Sequence, residues 1–236
     1  MIAKLVNEFS TRARQRRAGI FRSIFELGAE TRILDLGSES GLNIFTVLRG
    51  TAVKPENVYI ADIEPTLIEK GQRDFGFVPV LIGETEKLPF KDGFFDIVFC
   101  SSVIEHVTVP KDLVWASKSG FKFRREALVR QTEFAQEVQR LGRQFFVQTP
   151  YRFFPIESHT WFPLLSFVPR RTLIPILRIL NKFWIKKTKP DWNLLTKKEL
   201  AGMFKDSRIV CERSFGMIKS IMAIKSNILI YVPSGE

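Results

Sequence analysis

Five short apolar runs, RILDLG, NVYIADI, VPVLIG, FDIVFCSS and QFFVQTP, alternate with helical or loop-like stretches, and this alternation restricts the fold more than any other feature. Runs that are apolar on both faces suit strands covered on both sides, and parallel strands need crossover connections long enough to hold a helix. The pattern predicts a doubly wound α/β sheet. Between the fourth and fifth runs, Ala127, Phe134, Val138 and Leu141 keep helical spacing. TKKE at 196 to 199 has the form of a capping box, and RIVCERSF with SIMAIK reads as a final hairpin. Ahead of the first run, Ile20, Ile24 and Leu27, with Phe21 and Phe25 beside them, predict an amphipathic helix ending near Gly28.

A chain of 236 residues can bury a full core as one α/β domain and still carry an excursion. A single domain over 1–236 is therefore expected. Residues 150 to 195 fit none of the strand and helix units, being rich in proline, aromatic and basic residues. They follow the carboxyl end of a strand, where ligand sites of such sheets lie, and are expected to form a lid or a membrane-facing insertion. No stretch approaches the roughly 18 apolar residues of a spanning helix, and the arginines of MIAKLVNEFSTRARQRR stand where a signal peptide would be apolar. The expected location is the cytoplasm, with peripheral attachment at the inner membrane face as the variant that a basic insertion allows. Cys100 and Cys211 give neither a disulfide framework nor a metal spacing, so buried reduced thiols and no metal are expected.

The net charge of +11 calls for an anionic partner: nucleic acid, an acidic lipid surface or a phosphorylated substrate. Positive residues concentrate in RARQRR at 12 to 17 and again from 170 to 189. Arg12, Arg14, Arg16 and Arg17 could grip phosphates but read better as a solvated helix face. The phenylalanines sit mostly in strand runs and read as core, and with no RNA-binding signature nucleic acid is not the expected partner.

ILDLGSESG at 33 to 41 begins like a nucleotide-binding strand and turn, but Glu39 stands at the second glycine of G-x-G-x-x-G and Leu42 at the third. Dinucleotide loops need small residues because backbone N–H groups approach a pyrophosphate closely. A carboxylate a few ångströms from a pyrophosphate is repulsive by a few kcal/mol even at an effective dielectric of about 20, which disfavours NAD, FAD and ATP. S-adenosylmethionine carries no phosphate, and its sulfonium and ammonium make Glu39 neutral to favourable. Asp62 ends VYIAD at the place from which a carboxylate can accept both hydroxyls of a ribose. It could equally serve the turn, with Glu64-Pro65 opening the next helix.

GETEKLPFKDGFFDIVFCSSVIEHV, residues 83 to 107, resembles the middle of class I SAM-dependent methyltransferases of the methyltransferase type 11 group, with an acid after the third strand, L-P-F, a D-x-x-F-D turn and a strand closing in E-H. The resemblance implies a Rossmann-like sheet of seven strands, mostly parallel with the last antiparallel, and S-adenosyl-L-methionine as cofactor. It implies Asp35, Gly37 and Gly41 around the methionine end, Asp62 on the ribose, Glu84 and Thr85 at the adenine, Ile63 and Leu88 packed on the ring, and Ser101 and Ser102 along the pocket floor. Glu39 is the departure, since the family has a small residue there and a longer side chain could crowd the methionine carboxylate. TPYRFFPIESH resembles the T-P-N-R-x-F-P-I-E-x-H of some members, with Tyr151 replacing asparagine. It implies that Tyr151, Arg152, Glu157 and His159 face the methyl acceptor, unless the stretch is only a packed loop.

His159 and His106 are the two candidates for a base, although E-H at 105 to 106 could instead anchor a loop. The leading functional expectation is methyl transfer to a small or lipid-linked acceptor, with oxygen favoured as the acceptor atom. The alternatives are a nucleic-acid or protein methyltransferase using the basic surface, and a non-catalytic fold that binds membranes or a partner. RRTLIPILRILNKFWIKK, residues 170 to 187, predicts a helix with Pro175 in its first turn. Arg171, Arg178, Lys182 and Lys186 would line one side, and Leu173, Ile176, Leu177, Leu180, Phe183 and Trp184 the rest. Such a helix suits an anionic membrane interface or a lid over a pocket.

Overall fold

The computed structural model describes residues 2–37, 39–83, 87–184 and 186–228, with side chains from residue 11 onward. Every apolar run of the sequence forms a strand: β1 (Ile33–Leu36), β2 (Val58–Asp62), β3 (Val78–Leu81), β4 (Phe95–Ser101), β5 (Gly142–Pro150), β6 (Arg208–Ser214) and β7 (Met217–Lys225). They form one sheet in the order β3-β2-β1-β4-β5-β7-β6, with β1 parallel to both β2 and β4 and β2 parallel to β3. The last strand runs antiparallel. Phe215 and Gly216, at φ 52° and 74°, make the two-residue turn between β6 and β7, and a turn this short can join only antiparallel neighbours.

The chain divides into two compact units, one of Met1–Ser101, Glu137–Val147 and Ile224–Glu236, the other of Ser102–Gln136 and Gln148–Ala223. In the first unit, α1 (Ile2–Ile24) ends four residues short of Gly28. Its buried Phe21 packs edge-on against Phe99 of β4 at 5.4 Å and Phe146 of β5 at 5.7 Å, which gives the phenylalanines the core role that their strand positions suggested. Arg12, Arg14 and Arg16 are exposed on the same helix. The short α2 (Leu42–Leu48) and α3 (Pro65–Phe75) follow β1 and β2. At the end of α4 (Gly120–Leu141), Arg140 donates to the carbonyls of Leu88 (3.1 Å) and Phe90 (2.6 Å), while Glu137 accepts from the Leu88 N–H at 3.0 Å. That clamp sets the L-P-F segment.

In the second unit, Tyr151 and Leu195 pair in a parallel bridge, and the Arg152 N–H donates to the Leu195 carbonyl at 3.1 Å. The chain leaves and returns at adjacent points. Between them, α5 (Arg170–Phe183) places Leu173, Leu177 and Leu180 in a cluster with Leu165, Trp192 and Leu194. Pro169 precedes the first turn, so Pro175 is the sixth residue of the helix and not in its first turn, which costs the bond that an N–H there would make one turn back. Lys186 also departs from the expected basic stripe. It lies past the end of α5, where its ammonium donates to the Ser158 carbonyl at 2.8 Å and sits over the Trp161 ring. What α5 leaves exposed of its large apolar residues is Ile179 and Phe183. α6 (Lys197–Met203) opens on the capping box read in TKKE, with Thr196 and Glu199 satisfying each other's backbone N–H groups. Among the described residues, no helix is long and apolar enough to cross a membrane.

Candidate functional site

In the first unit, three of the described residues between β1 and α2 take left-handed backbone: Gly37 at φ 77°, Glu39 at 53° and Gly41 at 73°. Gly41 begins α2 with no room for a side chain, since a Cβ there would meet the Phe77 ring at 3.0 Å and Ile60 at 3.1 Å. On the facing helix, a Cβ at Gly71 would lie 2.7 Å from the Ser40 carbonyl oxygen, so two glycines allow the loop to close against α3. Glu39 adopts backbone that favours glycine, at a cost of about 1 kcal/mol, and its side chain is exposed. Its N–H donates to Oδ2 of Asp62 at 2.8 Å, and the Glu64 N–H donates to Oδ1 at 3.1 Å.

Asp62 thus serves the turn and keeps acceptor capacity, because an ionised carboxylate has about four lone-pair sites. Ile63 beside it is 46% exposed and offers an apolar face. Together these residues fit a nucleoside bearing no phosphate. Leu88 is buried and held by its backbone bond to Glu137, and Asp35 is 2% exposed within β1. Ser101 is half-buried at the end of β4; Glu84 and Thr85 lie outside the described residues. Glu39→Gly is expected to raise stability by about 1 kcal/mol through relief of the left-handed strain, and to preserve or improve binding of S-adenosylhomocysteine. Denaturant midpoints and calorimetry check both, and a loss of affinity would show that the side chain pairs with the ligand's ammonium.

The second unit assembles a polar cluster from four segments. After Ser102, at φ 61°, a single 3-10 turn over Ile104–His106 buries Glu105 completely. Thr149 of β5 donates to its Oε2 at 2.9 Å, while Oε1 has no hydrogen-bond partner among the described residues. His106 meets Asp191 through Nδ1 at 3.2 Å, and the other Asp191 oxygen receives Lys111 at 3.1 Å. His159 meets Glu157 through Nδ1 at 2.5 Å, and its Nε2 lies 4.0 Å from Oε1 of Glu105. The His159 ring stacks on Trp192 and stands perpendicular to His106, with centroids at 4.9 and 4.7 Å.

Burial pulls the His106 pKa down, but the bond to Asp191 and the charge of Glu105 outweigh it, so the imidazole titrates above its ordinary value. Burial would raise Glu157, and its bonds from His159 and Thr160 prevail and hold it below the usual carboxylate range. Asp191 is held down in the same way by His106 and Lys111.

His106, His159 and Glu157 are therefore brought together. Arg152 lines a pocket with Arg124, Phe123, Ser166, Asn193 and Trp192, the last being the residue on which His159 stacks. Burial and the neighbouring charge of Arg124 lower the Arg152 pKa. Arg124 is paired with Glu199 and Asn193, whereas no carboxylate among the described residues hydrogen-bonds the Arg152 guanidinium. The Ser166 hydroxyl is buried without a hydrogen-bond partner among the described residues. Tyr151 contributes its backbone to the bridge with Leu195, and its ring meets Phe153 edge-on.

Sequence reasoning missed Asp191, Trp192 and Asn193, which orient His106, stack on His159 and bind Arg124. It also missed Thr149, Lys111 and Gln131, the last donating to the carbonyls of Ile104 and Asn193. The one signal was DWN itself, an acid, an indole and an amide ending a basic stretch.

Residues 34–117 match the model of a family described as a methyltransferase domain. No curated protein matches the sequence significantly. Among solved structures, a protein from Pyrococcus horikoshii OT3 aligns at TM-score 0.54 and 14% identity over 93% of this chain and 91% of its own. Magnesium protoporphyrin IX methyltransferase from Synechocystis PCC 6803, solved with bound SAH, aligns at TM-score 0.51 and 13% identity over 96% and 88%. At these identities the likeness is one of fold.

Proposed function

We propose that this chain is a class I SAM-dependent methyltransferase and that it methylates an oxygen of a small or lipid-linked acceptor bearing an anionic group. Its cofactor is S-adenosyl-L-methionine, which supplies an electrophilic methyl group on a sulfonium. The residues that fit it are Asp62, for the ribose hydroxyls, and the tight backbone of Gly37, Glu39 and Gly41. Methyl transfer asks the protein mainly to hold and align the acceptor in a site from which water is excluded.

The observation that carries the acceptor class is Arg152. A half-buried guanidinium with no hydrogen-bonded acid among the described residues, next to a second arginine and a serine hydroxyl with no partner among them, is matched by a carboxylate or phosphate. The formal charge of +11 favours the same class and would also favour docking at an anionic membrane, where the exposed Ile179 and Phe183 of α5 could contribute. His159 and Glu157 are proposed to serve acceptor binding through the buried cluster rather than through Arg152's pocket.

The test is transfer of a labelled methyl group to a panel of phenolic and hydroxy acids, phosphorylated phenols and acidic phospholipids in vesicles, with RNA and protein as competing arms. Anionic acceptors are expected to be labelled, and Arg152→Ala to raise KM at least tenfold with a smaller effect on kcat. Labelling confined to RNA or protein, or equal kinetics in the variant, would overturn this reading.

A further inference from the structure

We propose that Glu105, His106 and His159 form a binding site for one divalent transition-metal ion. One ligand atom from each of the three lies within 4.8 Å of the others. The site rests on the second unit alone and does not depend on the acceptor class proposed above.

Three further features point to a cation. Both histidines turn Nδ1 to a carboxylate, His106 to Asp191 at 3.2 Å and His159 to Glu157 at 2.5 Å. A histidine that ligates a metal commonly donates its other ring N–H in this way, which fixes the tautomer and leaves Nε2 as the lone-pair donor. Glu105 is fully buried, its Oε2 is held by Thr149, and Oε1 is left with no hydrogen-bond partner among the described residues, 4.0 Å from the Nε2 of His159. An orphaned carboxylate oxygen in a dry site is costly, and a bound cation removes that cost. Finally, Glu105, Glu157 and Asp191 bring three carboxylates to the cluster, and among the described residues the ammonium hydrogen-bonded to one of them is that of Lys111, on Asp191, so the cluster is rich in groups that attract a cation.

The donor set selects the kind of ion. Two imidazoles and one carboxylate suit the range from Mn2+ to Zn2+, whereas Mg2+ and Ca2+ prefer all-oxygen sites. Metal–ligand bonds of about 2.1 Å put neighbouring ligand atoms roughly 3 Å apart, so closure from separations of up to 4.8 Å, and of 4.0 Å between His159 and Glu105, needs side-chain rotations. Three protein ligands leave coordination positions open, and those positions take oxygen donors such as water or a hydroxyl.

The experiment uses the full chain without a histidine tag, stripped with chelator, loaded with Co2+ and desalted. Metal content and the visible ligand-field bands of Co2+ are then measured, followed by displacement with Zn2+. Wild type is expected to retain one equivalent with visible bands. Glu105→Gln, His106→Ala and His159→Ala should each retain less than about a tenth of that, and Asp191→Asn should weaken affinity by about 10- to 100-fold. Glu105→Gln is isosteric, so it decides the matter if an alanine variant fails to fold, as read by its melting curve. Wild type that retains no cobalt, or Glu105→Gln with an unchanged cobalt spectrum, would overturn the site and leave His159 as a structural partner of Glu157.

Discussion

Asp62→Ala is expected to weaken binding of S-adenosylhomocysteine by about 10- to 100-fold, a loss on the order of 1.5 to 3 kcal/mol. Two effects contribute. The charge-assisted bonds to the ribose hydroxyls disappear, and the Glu39 N–H loses the acceptor that now holds it at 2.8 Å, loosening a loop already strained at φ 53°. Asp62→Asn separates them, because one side-chain oxygen can still receive the Glu39 N–H while the charge is gone. Its affinity should therefore fall between those of wild type and Asp62→Ala. Stability should change little, since Asp62 is half-exposed at the end of β2. Calorimetry of all three proteins is the measurement, and equal affinity across them would remove Asp62 from the cofactor site.

The parts of the fold legible in the sequence were those determined locally. An apolar strand run, the TKKE capping box and the final hairpin each depend on neighbours a few positions away, and each appears among the residues that suggested it. The site was legible only as individual residues. His106 and Asp191 are 85 positions apart and Thr149 and Glu105 are 44 apart, so no spacing rule could join them. Glu39 shows a different limit. Its charge could be reasoned about from the sequence, but the left-handed backbone that makes glycine the easier residue there becomes visible only when the loop is closed against Ser40 and Gly71. Local pattern also misplaced the start of α5: the helix begins at Arg170, five residues before the proline expected in its first turn.

Arg170 carries the second large expectation. It was read as part of a basic stretch that could face an anion, and a cation in the first turn of α5 opposes the helix dipole, so the helix itself gains nothing from it. Its use is internal. The guanidinium is buried, donates to the carbonyls of Ser117 at 2.6 Å and Val114 at 2.7 Å, and lies 3.4 Å above the Phe123 ring. Burial pushes its pKa down to about 10, which still leaves it protonated at neutral pH. Arg170→Ala would strand both carbonyls and remove the cation–π contact, so a destabilisation of about 3 kcal/mol is expected. Arg170→Met keeps the apolar stem over Phe123 and should recover part of that loss, while Arg170→Lys should recover more by reaching one carbonyl but not both. Urea midpoints for the three variants give the order. If Arg170→Ala unfolds at the same urea concentration as wild type, the two carbonyls find other donors and Arg170 is free to serve the anion pocket that it lines with Arg152 and Arg124.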